Sequence, residues 1–97
     1  MATISADILA SYAADAAREV DGVRGLVESH LPRNRGVRIS GEASELAVEI
    51  HLDVAWGASI PSVGEAVQRR VGDYLEQMAG ARPRSVDVVV DAVGGPA

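Results

Sequence analysis

The longest regular pattern in the chain runs from Leu46 to Trp56, where apolar residues alternate with mostly polar ones. Side chains of a β-strand point alternately to the two faces of its sheet, so this period of two predicts a strand with one buried and one solvated face. Such a strand belongs to a sheet that is covered on one side only. The apolar positions are Leu46, Val48, Ile50, Leu52, Val54 and Trp56, and the intervening ones are Ala47, Glu49, His51, Asp53 and Ala55.

Two segments with helical spacing lie on either side of this strand. The first begins at Ser5, a suitable cap, and its apolar stripe continues to about Val20. Gly22 is placed to end this helix, so that Val23 or Leu26 folds back against its last turn. The second helix is predicted over Pro61 to Ala79, capped by Ser59 or Ile60 and stopped by Gly80. Its stripe contains Val63, Ala66, Val67, Val71, Tyr74, Leu75 and Met78.

Shorter alternating segments predict two more strands, over Val37 to Ile39 and Val86 to Val90, and a loop over Glu28 to Gly36. The resulting order is α-β-β-α-β in one domain of residues 1–97, with a disordered tail over 94–97. We therefore expect an α+β fold of two layers, a three-stranded sheet with both helices on one face. Strand order stays open: the last strand lies either parallel to Leu46–Trp56 or antiparallel to Val37–Ile39.

Composition and charge narrow the classes of function. Hydrophobic residues make up 47% of the chain, but aromatics only 3%, so the core is built from small aliphatic side chains and self-association is expected to cover leftover apolar surface. The net charge of −5 argues against a nucleic-acid binder. No cysteine is available for catalysis, disulfides or metal ligation, in agreement with a reducing cytoplasm. No apolar run is long enough to span a membrane, so we expect no direct insertion.

The polar face of the long strand is the first place to look for chemistry. Glu49, His51 and Asp53 share this face, and a neighbouring strand could add Asp87 or Asp91 to form a metal site. An ordinary solvated sheet face explains the same residues more simply. Neither His30 nor His51 has an adjacent serine and acid arranged as the nucleophile, base and orienting acid of a catalytic triad. A chain without lysine also has no Walker lysine. We therefore assign no catalytic residue, metal or cofactor.

Four arginines and a tryptophan are candidates for partner contacts. Arg33, Arg35 and Arg38, with Arg24 nearby, form a local basic cluster that could meet an acidic partner, anionic lipid headgroups or RNA. A solvated loop that balances charge is the simpler interpretation. Trp56 ends the long strand, where it either packs in the core, the favoured alternative, or faces a partner. The candidate contact residues are thus Arg24, Arg33, Arg35, Arg38, Glu49, His51, Asp53 and Trp56.

In this order and spacing, five segments resemble the alkaline-shock protein family of bacterial envelope-stress proteins. They are ISADILASYAADAAREVDGVRGL, GVRIS, LAVEIHLDVAWGASIPSVGEAVQRRV, YLEQMAG and SVDVVV, which together cover nearly the whole chain. This chain differs from the family in having Trp56 where tyrosine is common, Ala79 where threonine is usual, and arginines in place of lysines. None of these differences disturbs the expected fold.

The resemblance implies a small cytoplasmic protein that self-associates and is linked to the cell envelope through membrane-anchored partners. The family carries no established catalytic residues, so the resemblance transfers no active site. We expect a non-enzymatic envelope-stress protein, a homo-oligomeric scaffold at the inner face of the membrane. The alternative is a small RNA- or ligand-binding regulatory module that uses the arginine-rich loop.

Overall fold

The strand expected from the alternating pattern lies at the centre of the fold. The computed structural model describes residues 5–28, 36–41 and 45–94. Along these the elements are α1 (Ala6–Arg18), β1 (Val23–Leu26), β2 (Val37–Ser40), β3 (Ala47–Ala55), α2 (Ile60–Ala79) and β4 (Ser85–Gly94). The α+β class and the positions of both helices are confirmed. Of the expected loop over Glu28 to Gly36, residues 29–35 lie outside the described residues.

The sheet is mixed, and β3 is paired along both of its edges. On one edge β2 runs antiparallel to the first half of β3, from Ser40 beside Ala47 to Val37 beside Ile50. On the same edge β1 runs antiparallel to the second half, where Leu26 lies beside Leu52. The other edge is paired in parallel with β4 over its whole length. The final strand therefore takes the parallel alternative, beside β3.

The sheet has four strands rather than the three expected, because Val23–Leu26 forms a strand that pairs with β3. Helix α1 ends before Gly22, at a cap formed by Glu19. Gly22 then turns the chain with a φ of 96°, and its carbonyl accepts a hydrogen bond from the Ala55 amide. A Cβ at this position would lie 2.7 Å from Cγ2 of Val63, so glycine is required by both conformation and space.

The hydrophobic core lies between the sheet and the two helices. Four inward side chains of β3, from Val48 to Val54, are at most 1% exposed. The same core contains five buried alanines of α1, whose small side chains let the helix pack close to the sheet. Tyr12 and Tyr74 meet edge to face between the helices, with ring centroids 5.9 Å apart. The buried residues of α2 are Val63, Val67, Val71 and Leu75.

The helix ends follow the capping signals in the sequence. Ser5 Oγ accepts a hydrogen bond from the Ile8 amide, and Ser59 Oγ accepts one from the Ser62 amide. Gly80 ends α2 in the left-handed conformation. The last strand continues through Gly94, which was expected to belong to a disordered tail, and residues 95–97 lie outside the described residues. In the described part of the chain, neither helix is apolar enough over a sufficient length to cross a bilayer.

We predict opposite effects of alanine at two glycines. Gly64 lies inside α2, and an added Cβ there meets nothing within 4 Å, so Gly64→Ala should raise the free energy of unfolding by about 0.5–1 kcal/mol. Gly22→Ala should lower it, because of the positive φ and the contact with Val63. Urea denaturation followed by circular dichroism measures both. A destabilised Gly64→Ala or an unaffected Gly22→Ala would contradict this account of the backbone.

Candidate functional site

The sheet face that the helices leave uncovered carries a connected group of charged side chains. β3 contributes Glu49, His51 and Asp53 at alternate positions. The strand register places Arg38 of β2 beside Glu49 on one side and Asp87 of β4 on the other. We call this surface the open face and define it as Arg24, Arg38, Glu49, His51, Asp53, Asp87 and Asp91.

Two shifts of strand register bring further charges onto the open face. Between Val23 and Gly25 the pairing of β1 with β3 slips by one residue, which leaves Arg24 as the extra residue. The pairing of β4 with β3 slips next to Asp53, and here Asp91 is the extra residue. An extra residue in one strand of a pair bends the strand and redirects its side chain. Arg24 and Asp91 therefore reach over β3 from opposite sides.

His51 lies between two carboxylates. Its Nδ1 is 2.6 Å from Oδ2 of Asp91, and its Nε2 is 2.6 Å from Oε2 of Glu49. A neutral imidazole carries only one N–H, whereas a carboxylate can only accept. Both hydrogen bonds therefore require the protonated ring, which donates one N–H to each acid. The contact with Asp91 joins the central strand to the edge strand at its register shift.

The environment of His51 favours its charged form. The hydrogen bond to Glu49 is the largest cause that raises the pKa of His51 above its ordinary value of 6.5, and Asp91 adds to it. Partial burial opposes this by disfavouring the charge, since the His51 side chain is 21% exposed. The net shift of the pKa is upward.

Asp53 and Arg24 form a second, looser contact on the same face. Arg24 Nη1 lies 3.8 Å from Asp53 Oδ2, while Asp53 Oδ1 is buried and accepts no hydrogen bond within the described residues. The guanidinium crosses β3 to the end of β4, where a Cβ on Gly94 would overlap it. Gly94 therefore leaves the space that Arg24 occupies.

The geometry does not form the metal site considered for this strand. Glu49 and Asp91 bind opposite nitrogens of the His51 ring, so an ion bound to one nitrogen cannot also reach both acids in this arrangement. Among the residues that the structure describes, no group of three or more histidine and carboxylate side chains is placed to hold a metal ion. The acids instead act as acceptors for His51.

Glu49, His51 and Asp53 share the open face, as the alternation predicted. Arg38, which was expected in the arginine cluster, lies beside Glu49 on the same face through the pairing of β2 with β3. Arg24 joins them through the register shift between β1 and β3, which no pattern in the sequence predicted. Arg33 and Arg35 lie outside the described residues. The favoured expectation that Trp56 packs in the core is wrong, because its side chain is 66% exposed. Trp56 follows the last strand pair, Ala55 with Gly94, and lies in the turn beyond the sheet.

One family model matches the chain, over residues 1–94. It is the model of the alkaline-shock protein family, which is described as having a cell envelope-related function. The resemblance drawn from the five sequence segments is thereby confirmed. No curated protein matches the chain closely enough to be reported as a relative.

Solved structures of the MamM CTD share the fold. A triple variant is 20% identical with a TM-score of 0.65, and the match covers 92% of this chain and 95% of that one. The structure titled MamM-CTD 215-293 is 20% identical with a TM-score of 0.63, covering 89% and 96%. The cadmium form of another variant is 21% identical with a TM-score of 0.65, covering 91% and 98%. At this identity the likeness concerns the fold alone.

We predict that protonated His51 stabilises the protein. Because its pKa is raised in the folded state, this stability is fully present below the unfolded value of about 6.5 and is lost as the pH rises through the folded pKa. Wild type should therefore lose stability relative to His51→Gln over that interval. Urea denaturation at a series of pH values measures the difference.

The carboxylates provide the matched variants for this test. Glu49→Gln and Asp91→Asn should each lower the pKa of His51, measured from the NMR shifts of its ring protons. Asp87→Asn removes the same charge from the same face without touching the ring, and should lower this pKa least. A pKa at or below 6.5 in the wild type would refute the bridge.

Proposed function

Because the chain belongs to the alkaline-shock protein family, whose function is related to the cell envelope, we propose that it is a non-enzymatic, self-associating interaction module of the envelope-stress response. In this proposal it works at the cytoplasmic side of the membrane through a membrane-anchored partner. Membership of the family supports the link to the envelope. The open face supports the proposal that the protein acts by binding to a second copy of itself and to a partner.

The observation that carries the proposal is that the open face is ordered but uncovered. The helices lie on the opposite side of the sheet, and no described element covers Glu49, His51 and Asp53. Their side chains are nevertheless held in place by contacts across three strands. A surface whose charges are fixed before binding loses little conformational entropy on association, which favours a specific contact.

The distribution of charge suits contact between two copies. Arg38 and Asp87 are exposed on opposite sides of Glu49, so the face has a basic margin along β2 and an acidic margin along β4. In a two-fold dimer the same patch on each copy meets itself, and opposite margins can then pair. Trp56 lies at one end of this sheet as an exposed aromatic, a residue type enriched at interfaces.

We predict that self-association is visible through Trp56, the one tryptophan of the chain. Its emission should shift to shorter wavelength as the protein concentration rises, because the exposed indole leaves water, and the mass from sedimentation should rise in parallel. Arg38→Glu should raise the dissociation constant at least about tenfold, since it places like charges at the contact. Mixing Arg38→Glu with Asp87→Arg should restore association.

Arg18→Glu is the matched control, because it makes the same charge change on the far side of the molecule, in α1. It should leave the dissociation constant unchanged. A monomer at every concentration, or equal effects of Arg38→Glu and Arg18→Glu, would contradict self-association through the open face. If the proposal holds, crosslinking in cells should recover a membrane protein together with the wild type, and less of that protein with Arg38→Glu.

A further inference from the structure

A second arginine cluster lies on the other side of the molecule, around a pocket of about 340 Å³. Arg69 of α2 and Arg82 and Arg84 of the α2–β4 connection all line this pocket. Arg69 precedes Arg82 by 13 positions, so the three arginines do not form a cluster in the sequence. Three guanidinium groups at one pocket form a positive centre in a chain whose net charge is −5.

The connection that carries two of these arginines is held firmly. After Gly80, the Ala81 amide bonds to the Leu75 carbonyl at 3.3 Å, and the Arg84 amide bonds to the Leu46 carbonyl at 2.6 Å. On the neighbouring wall, Gln68 Nε2 donates to the Val86 carbonyl at 2.9 Å. The backbone around the pocket is therefore fixed by α2 on one side and by Leu46, the residue before β3, on the other.

The charges at the pocket are unequally satisfied. Nε and Nη2 of Arg82 both donate to Glu76 Oε2, at 3.0 and 2.8 Å, so this pair balances itself. Arg69 and Arg84 form no ion pair with any carboxylate in the described part of the chain. Asp73 also lines the pocket and lowers its positive potential. The two arginines supply forked donors suited to a tetrahedral anion.

The pocket also has room for more than an ion. Gly72 lines it from inside α2, and an added Cβ there meets nothing within 4 Å. Glycine inside a helix lowers helix stability, and here its missing side chain keeps the wall open. Pro83 and Val86 provide apolar wall, and Ser85 adds a hydroxyl.

We propose that this pocket binds a phosphate group carried on a small organic stem, held by Arg69 and Arg84. This phosphate group could belong to a soluble phosphate ester or to the headgroup of an anionic phospholipid, since both carry a phosphate on a small organic stem. The site is separate from the open face, so it stands or falls independently of self-association.

The test follows backbone amide NMR shifts of the full chain during titration with glycerol phosphate, against sodium chloride at matched ionic strength. The amide signals of Gly72 and Ser85 should shift saturably with glycerol phosphate and should not do so with sodium chloride. Arg69→Gln and Arg84→Gln should each weaken binding about fivefold or more, since each removes charge-assisted hydrogen bonds. Asp73→Asn should strengthen it about threefold by removing a like charge.

Two matched pairs separate the site from general charge and folding effects. Arg70 neighbours Arg69 on α2 but binds Glu19 of α1, so Arg70→Gln should leave the affinity nearly unchanged. Gly72→Leu fills the pocket without altering charge and should abolish binding, whereas Gly64→Leu, two turns earlier on α2, should not. Retained thermal melting temperatures show that each variant is folded.

Vesicles distinguish the two sources. Binding to phosphatidylglycerol vesicles, absent with phosphatidylcholine and lost in Gly72→Leu, identifies a lipid headgroup, whereas binding of the soluble ester alone identifies a metabolite-sized ligand. The proposal is overturned by the absence of saturable shifts, by equal effects of Arg69→Gln and Arg70→Gln, or by full binding in Gly72→Leu. Mass and Trp56 emission, measured on the same samples, report self-association separately.

Discussion

The pairing of β3 on both edges is the constraint on which the rest of the structure depends. Its inward residues Val48, Ile50, Leu52 and Val54 form the centre of the core, and its outward residues form the middle of the open face. A slip of one residue would exchange the two sets and bury Glu49, His51 and Asp53. The burial that stabilises the fold therefore also determines which charges are presented on the outside and in what order.

The open face is a set of charges arranged by irregularities in an otherwise regular sheet. A uniform ladder would leave Arg24 and Asp91 at ordinary strand positions, whereas the two register shifts direct them over β3. Individual ion pairs at this exposure contribute little stability. Their importance lies in geometry, because His51 connects two strands through one ring and Arg24 spans β3 from β1 to β4. The face is thus ordered by its own contacts.

Periodicity and capping predicted most of the fold. Both helices, the three alternating segments and the shared face of Glu49, His51 and Asp53 follow from local spacing and were found as expected. Val23–Leu26 was missed because a glycine interrupts the alternation of its four residues, and its identity as a strand depends on pairing with β3. Trp56 was wrongly expected in the core because the alternating pattern shows which face of the sheet a residue occupies but not where the sheet ends.

Long-range features left no comparable signal in the sequence. The register shifts at Arg24 and Asp91 depend on how neighbouring strands match in length, which no single segment encodes. The approach of Arg69 to Arg82 and Arg84 depends on where α2 ends and how the connection returns to the sheet. The sequence therefore pointed to the cluster of Arg33, Arg35 and Arg38, whereas the approach of Arg69 to Arg82 and Arg84 is visible only in the folded chain.

The parallel pairing of β3 with β4 has a consequence for the order in which the protein folds. Ala47 pairs with Ser85, 38 positions further along, and all of α2 lies between them. Contacts so distant in sequence form slowly, because a long loop must close before any pairing stabilises it. During synthesis β3 therefore keeps one edge unpaired until β4 emerges. Such an edge can pair with another chain, so the nascent protein passes through an interval in which aggregation competes with completion of its sheet.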